Sequence, residues 1–203
     1  SEKDSAYWEY KANELVYIPT PRTGRFVIIC NLVGYKLLKK TISYSNPIRD
    51  AAGASVGPDS EVIIPIKLSG VKRGDYVELE NVKFFEHSSI MKPESEAELV
   101  ELINLMENPR CKVVIHGHAG SDESREIITL GESTNFFALD PANDKKHGSA
   151  KELSRQRAEI VKAYLVTKGI DEKRISTKGQ GAMLAIYEHR AANDRVEVEI
   201  VKY

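Results

Sequence analysis

Arg157 lies where a helix should bury apolar residues. Leu153, Ile160, Val161, Tyr164 and Leu165 recur at helical spacing, and Arg157 falls four residues after Leu153 and four before Val161. A guanidinium stays charged in a protein and is costly to bury without an anion. The spacing therefore predicts a negative group beside it: an internal carboxylate such as Asp194 or Glu197, or a ligand. His116-Gly-His118 offers a second chemistry, because residues i and i+2 of a strand share a face, and His87, His147 and His189 are available as further metal ligands. Structural histidines are the preferred reading, and no metal or other cofactor is expected. Arg195, behind Asn193 and Asp194, opens a strand and serves either an ion pair or a ligand. No nucleophile–base pair, phosphate-binding glycine loop or carboxylate dyad is evident, so catalysis is not expected.

Two textures of sequence must position these groups. From residue 1 to 74, short β runs (Arg25 to Cys30, Tyr35 to Tyr44, Glu61 to Leu68) are broken by turn residues, which predicts a small β-rich segment and linker. From 75 to 203, strands alternate with helices. Tyr76 to Phe85 and Cys111 to His118 read as strands around a helix opened by Pro93 and Glu94 and ended at Asn108-Pro109. A long polar insert, about 120–148, shows no clear periodicity. Ser149 and Glu152 have capping-box spacing and start the Arg157 helix near Ala150. Arg174 to Lys178 and Arg195 to Val201 are the last strands, the latter alternating Val196, Val198 and Ile200 with Glu197 and Glu199. The expected fold is α+β: a βαβαββ mixed sheet with both helices on one side.

The balance of 29 basic against 30 acidic residues argues against nucleic acid as a partner. No apolar run reaches the length of a membrane-spanning helix, and no signal sequence stands at Ser1, so the chain reads as a mature product or an excised fragment. Cys30 and Cys111 sit in apolar runs and are expected to be free thiols.

Several motifs occur in order: Asn81-Val-Lys-Phe-Phe, Pro93-Glu-Ser, Val114-Ile-His-Gly-His118, Leu153-Ser-Arg-Gln-Arg-Ala158, Gly169-Ile, Arg174-Ile and Asn193-Asp-Arg-Val-Glu197. Over about Leu79 to Val201 they resemble the OmpA C-terminal domain, a periplasmic module that binds peptidoglycan. The insert and the segment Met183 to Tyr187 resemble a Bacteroidetes branch of that family. Upstream, Thr23-Gly-Arg-Phe and Gly34-Tyr-Lys are similar to a carboxypeptidase-regulatory-like β-sandwich. That pairing resembles peptidoglycan-anchoring lipoproteins of the type IX secretion apparatus.

The resemblance implies a non-catalytic, periplasmic, outer-membrane-associated anchor whose partners are the diaminopimelate-containing peptide stem and other secretion-complex or outer-membrane proteins. It implies that Arg157 binds a ligand carboxylate, helped by backbone N–H groups near Ser149. A groove would run between Phe85, Glu86, His87 and Ser88, then His118, Ala119, Gly120 and Asp122, with Asn193 and Arg195 at its edge. The chain departs from the pattern at Gly120, where the motif's ammonium-binding aspartate is missing, and at Ala150, where asparagine is common. Asp122 from the insert, or Glu86, is the expected substitute, with a backbone carbonyl as the alternative. Two other functions remain open: a protein–protein scaffold that has lost wall binding, and a metal-dependent wall hydrolase using His116 and His118.

Overall fold

A computed structural model describes residues 10–11, 13–183 and 193–203. The chain forms two compact units, one of residues 1–30 and 38–68, the other of residues 31–37 and 69–203. In the smaller unit β1 (Arg25–Cys30) pairs antiparallel with β2 (Leu38–Ser43), followed by a one-turn helix α1 (Pro47–Asp50). A short ladder joins β3 (Ser55–Val56) to β4 (Val62–Ile63). The strand expected over Glu61 to Leu68 shrinks to two residues, because Pro65 has no N–H to donate to a ladder. Ile42 and Ala51 are the buried hydrophobics of this unit among the described residues.

The larger unit is built on a four-stranded sheet in the order β5 (Tyr76–Glu78), β10 (Val196–Lys202), β6 (Lys112–Gly117) and β9 (Ile175–Gly179). β10 runs antiparallel to β5 and β6, and β6 runs parallel to β9, so the sheet is mixed as expected. Val113, Ile115, Val196, Val198 and Ile200 form its apolar face. Against that face lie α2 (Glu96–Met106), entered through a 3-10 turn at Pro93–Ser95, and α3 (Ala150–Thr167). Leu99, Leu102 and Met106 from α2 and Leu153, Val161 and Leu165 from α3 are buried to 1% exposure or less.

Two expectations need correction. The first strand ends at Glu78 rather than Phe85, because buried Glu98 on α2 accepts the N–H groups of Asn81 and Val82 and turns the chain out of the sheet. The insert is not structureless: β7 (Arg125–Thr129) and β8 (Asp144–Gly148) form an antiparallel hairpin. Its connecting loop is held by Asp140, which accepts from Ala142 N and the Ser133 hydroxyl. Phe136 and Phe137 from that loop lie edge-on to Tyr164 of α3. Cys30 and Cys111 are free thiols. No described helix is long and apolar enough to cross a membrane.

Candidate functional site

The position of Arg157 is set by how closely α3 approaches the sheet. Ser149 caps the helix by accepting the Glu152 N–H at 3.2 Å, while the Glu152 carboxylate turns to Lys146 at 2.9 Å. The capping box is thus half formed. Gly117 and Gly179 sit opposite one another on β6 and β9. A Cβ on Gly117 would stand 1.9 Å from the Ser154 carbonyl, and one on Gly179 2.7 Å from Arg155 N. Only glycine lets the helix backbone lie this near the strand ends. The Ser154 hydroxyl then accepts Gly181 N at 2.9 Å, and Gly181 O accepts Ala119 N at 2.9 Å, which fixes the loop after β6.

Arg157 is 2% exposed. Its Nε donates to Ser88 O at 3.2 Å and its Nη1 to His118 O at 3.3 Å. Nη1 also donates to Asp194 Oδ1, closing an ion pair. Its guanidinium carbon lies 4.9 Å from the centre of the Phe84 ring, a cation–π distance. Burial lowers the arginine's proton affinity and the Asp194 carboxylate opposes that shift. Nη2 makes no bond to any described residue. Asp194 has a side chain 39% exposed, and its Oδ1 also accepts Gly120 N at 2.9 Å.

The carboxylate that meets Gly120 N is neither of the two expected substitutes for the motif aspartate. Asp122 is exposed, and Glu86 stands 3.6 Å from His87 instead. The carboxylate at Gly120 comes from Asp194, which the sequence offered only as an internal partner. It arrives there because β10 antiparallel to β6 pairs Val196 with Gly117 and brings the residues before Val196 against those after Gly117. Phe84 is buried against the arginine and Phe85 packs beside the core. Ser88 uses its hydroxyl on Ile128 O and Ile90 N, leaving its carbonyl to Arg157. Ala119 and Asn193 are buried at the same loops. Arg195 turns to Glu197 at 2.9 Å. Ser149 serves as the helix cap and makes no bond to Arg157.

The histidines are held by neighbours. His116 Nε2 meets Glu199 at 2.9 Å and its Nδ1 meets Gln180 at 2.8 Å. His118 Nε2 stands 3.3 Å from Glu197, within ion-pair range. His118 and then Arg195 hold the Glu197 carboxyl down to about 2. No metal-binding group of three or more ligands forms among the described residues, and His189 lies outside them, as does the stretch following Met183.

One further residue at this place was missed. Arg125, from the insert, shares the loops that hold Arg157. Its signal was the β-branched run Ile127-Ile-Thr129, which marks a strand and gives Arg125 a fixed register.

The model of the OmpA family matches residues 84–199, more than half of the chain. Outer membrane protein A of Bordetella avium is 54% identical over 80 residues, covering 37% of this chain and 37% of that protein. The match thus spans little more than a third of the relative's length. Among solved structures, a putative MotB-like protein from Desulfovibrio vulgaris is 21% identical, with 63% of this chain and 74% of that one covered and a TM-score of 0.46. The cell wall anchor of the T6SS from Pseudomonas aeruginosa is 22% identical, with 63% and 80% covered and a TM-score of 0.45.

Proposed function

Since this chain belongs to the OmpA family, we propose that its larger unit is a non-catalytic peptidoglycan-binding module of the periplasm. In this reading it ties an outer-membrane or secretion complex, of the type IX kind in particular, to the cell wall. The ligand is the diaminopimelate-containing peptide stem, whose free end carries an ammonium and a carboxylate side by side. One observation carries the reading: a buried guanidinium and a half-exposed carboxylate lie in contact, and the guanidinium keeps Nη2 unbonded among the described residues. That pair matches a zwitterion charge for charge. The ligand carboxylate takes Arg157, and the ligand ammonium takes Asp194. The acid that the family motif carries on residue 120 is thereby replaced by one resting on the backbone N–H of Gly120. Phe85, Glu86, His87, Ser88, His118, Ala119, Asp122, Ser149, Asn193 and Arg195 complete the proposed surroundings of the groove.

The test is calorimetry and sacculus pull-down with Arg157→Ala and Asp194→Asn, with circular dichroism as the folding control. Each variant is expected to weaken binding roughly tenfold or more, the scale of a lost charge-assisted hydrogen bond. Full binding by folded Arg157→Ala would show the assignment to be wrong. A second reading has an observation of its own: Arg157 already has an internal counter-ion. On that reading the module is a scaffold for proteins, and the wild-type chain binds no muropeptide.

A further inference from the structure

Arg125 has no place in the clamp just described, yet the fold brings it there. The segment after β5 and the segment after β6 each hold both arginines. His87 Nδ1 is 3.4 Å from Arg125 Nη1, while the next residue, Ser88, accepts Arg157 Nε. In the other segment, Ser121 O accepts Arg125 Nη2 at 3.2 Å, and His118 O accepts Arg157 Nη1. Arg125 Nε donates to Glu123 O at 3.1 Å. The partners of Arg125 among the described residues are two backbone carbonyls and a histidine ring, with no carboxylate among them. The two guanidiniums are close enough for the charge of Arg125 to lower the proton affinity of Arg157.

Among the described residues, the hydrogen bonds of these two guanidiniums reach one carboxylate, that of Asp194. Two like charges brought together by loops of fixed geometry repel, and an anion between them relieves that repulsion. The hairpin is built to keep Arg125 there. β7 bridges the post-β5 segment, with Ser89 N donating to Ile128 O at 2.9 Å and Ile128 N to His87 O at 3.0 Å. His87 is held at a positive φ of 51° there, a conformation costly for a residue with a Cβ.

We propose that Arg125 forms a second carboxylate subsite beside Arg157, so that the module prefers stem peptides bearing two free carboxylates. The inference rests on the stem-peptide reading of Arg157. It makes the insert a determinant of ligand choice, because the subsite exists only through β7.

The experiment uses the full chain and a synthetic diaminopimelate-containing stem peptide with each carboxylate amidated in turn. Titration calorimetry is run on wild type, Arg125→Gln, Arg125→Lys and Arg157→Gln. For wild type, amidating one particular carboxylate other than that bound by Arg157 is expected to cost roughly tenfold in affinity. Arg125→Gln should bind the unmodified peptide about as weakly as wild type binds that amide, and lose no more when the amide is used. Arg125→Lys should restore part of the discrimination, which a purely structural loss would not. If every amide loses the same factor on wild type and on folded Arg125→Gln, the second subsite is refuted while the Arg157 clamp stands. If folded Arg157→Gln binds the unmodified peptide as wild type does, both the clamp and the subsite fall.

Discussion

Arg157 is buried in the larger unit with Asp194 as its counter-ion, and Asp194 also accepts Gly120 N, at the position where the family motif carries an acid. On the proposed reading, Asp194 takes over the role of that acid. The same economy appears at Glu98, 7% exposed, whose carboxylate takes the N–H groups of Asn81 and Val82 at 2.7 and 3.1 Å. Glu98 thereby turns the chain toward the loop that holds Arg157. Burial pushes its carboxyl up to about 7, against the pull of those two N–H groups. The native state thus favours the protonated form, so its stabilising effect is complete below the unfolded value near 4.5 and is lost as pH rises through about 7. Between pH 5 and 8 wild type should lose on the order of 2–3 kcal/mol through this group, whereas Glu98→Gln should be nearly flat. Urea melts at three pH values measure it. Parallel pH slopes for the two proteins would remove Glu98 from the explanation.

At the scale of elements, the site depends on how near α3 lies to the ends of β6 and β9. Gly117 is the tightest point, since the clash of a Cβ there would be with the Ser154 carbonyl, a backbone atom that cannot swing away. Gly117→Ala is expected to push α3 outward, destabilise the unit by about 2–3 kcal/mol, and separate Arg157 from Ser88 O and His118 O. Thermal denaturation and muropeptide binding should both fall, unlike in Arg157→Ala, where binding falls further than stability. A variant with wild-type melting temperature would show that the helix has slack. Sequence periodicity made the two long helices and the β6, β9 and β10 strands legible, because apolar residues recurring at 3.6 or 2 report burial directly. It also made Arg157 legible, as a charge on an apolar stripe. It overextended the first strand, because the capture of Asn81 and Val82 by Glu98 is a contact between distant residues. It left Asp194 undecided, since only the antiparallel register of β10 on β6 brings that residue to Gly120. The hairpin was missed because its two strands are separated by a loop of mixed polarity, and β8 is polar along nearly its whole length.

For the molecule as a whole, charge decides how binding should respond to salt. The chain carries 29 basic and 30 acidic residues, a net charge of −1 at pH 7. It has no overall excess to draw an anionic wall toward it, so long-range steering contributes little. On the proposed reading the affinity resides in a few groups that are shielded: Arg157 is 2% exposed and Arg125 is partly buried. Screening acts on exposed charges separated by water, over a Debye length that shrinks from about 10 Å at 0.1 M salt to about 3 Å at 1 M. Contacts made inside a pocket at hydrogen-bond distance are affected far less. Muropeptide affinity is therefore expected to fall less than about tenfold over that range, and the wild-type advantage over Arg157→Ala should survive at 1 M. Titrations at the two ends of the range decide it. A fall of several hundredfold, with wild type and Arg157→Ala converging at high salt, would move the affinity from the clamp to the exposed lysines and arginines of the surface. The module would then be a general polyanion binder, and the geometry around Arg157 would be structural support for that surface.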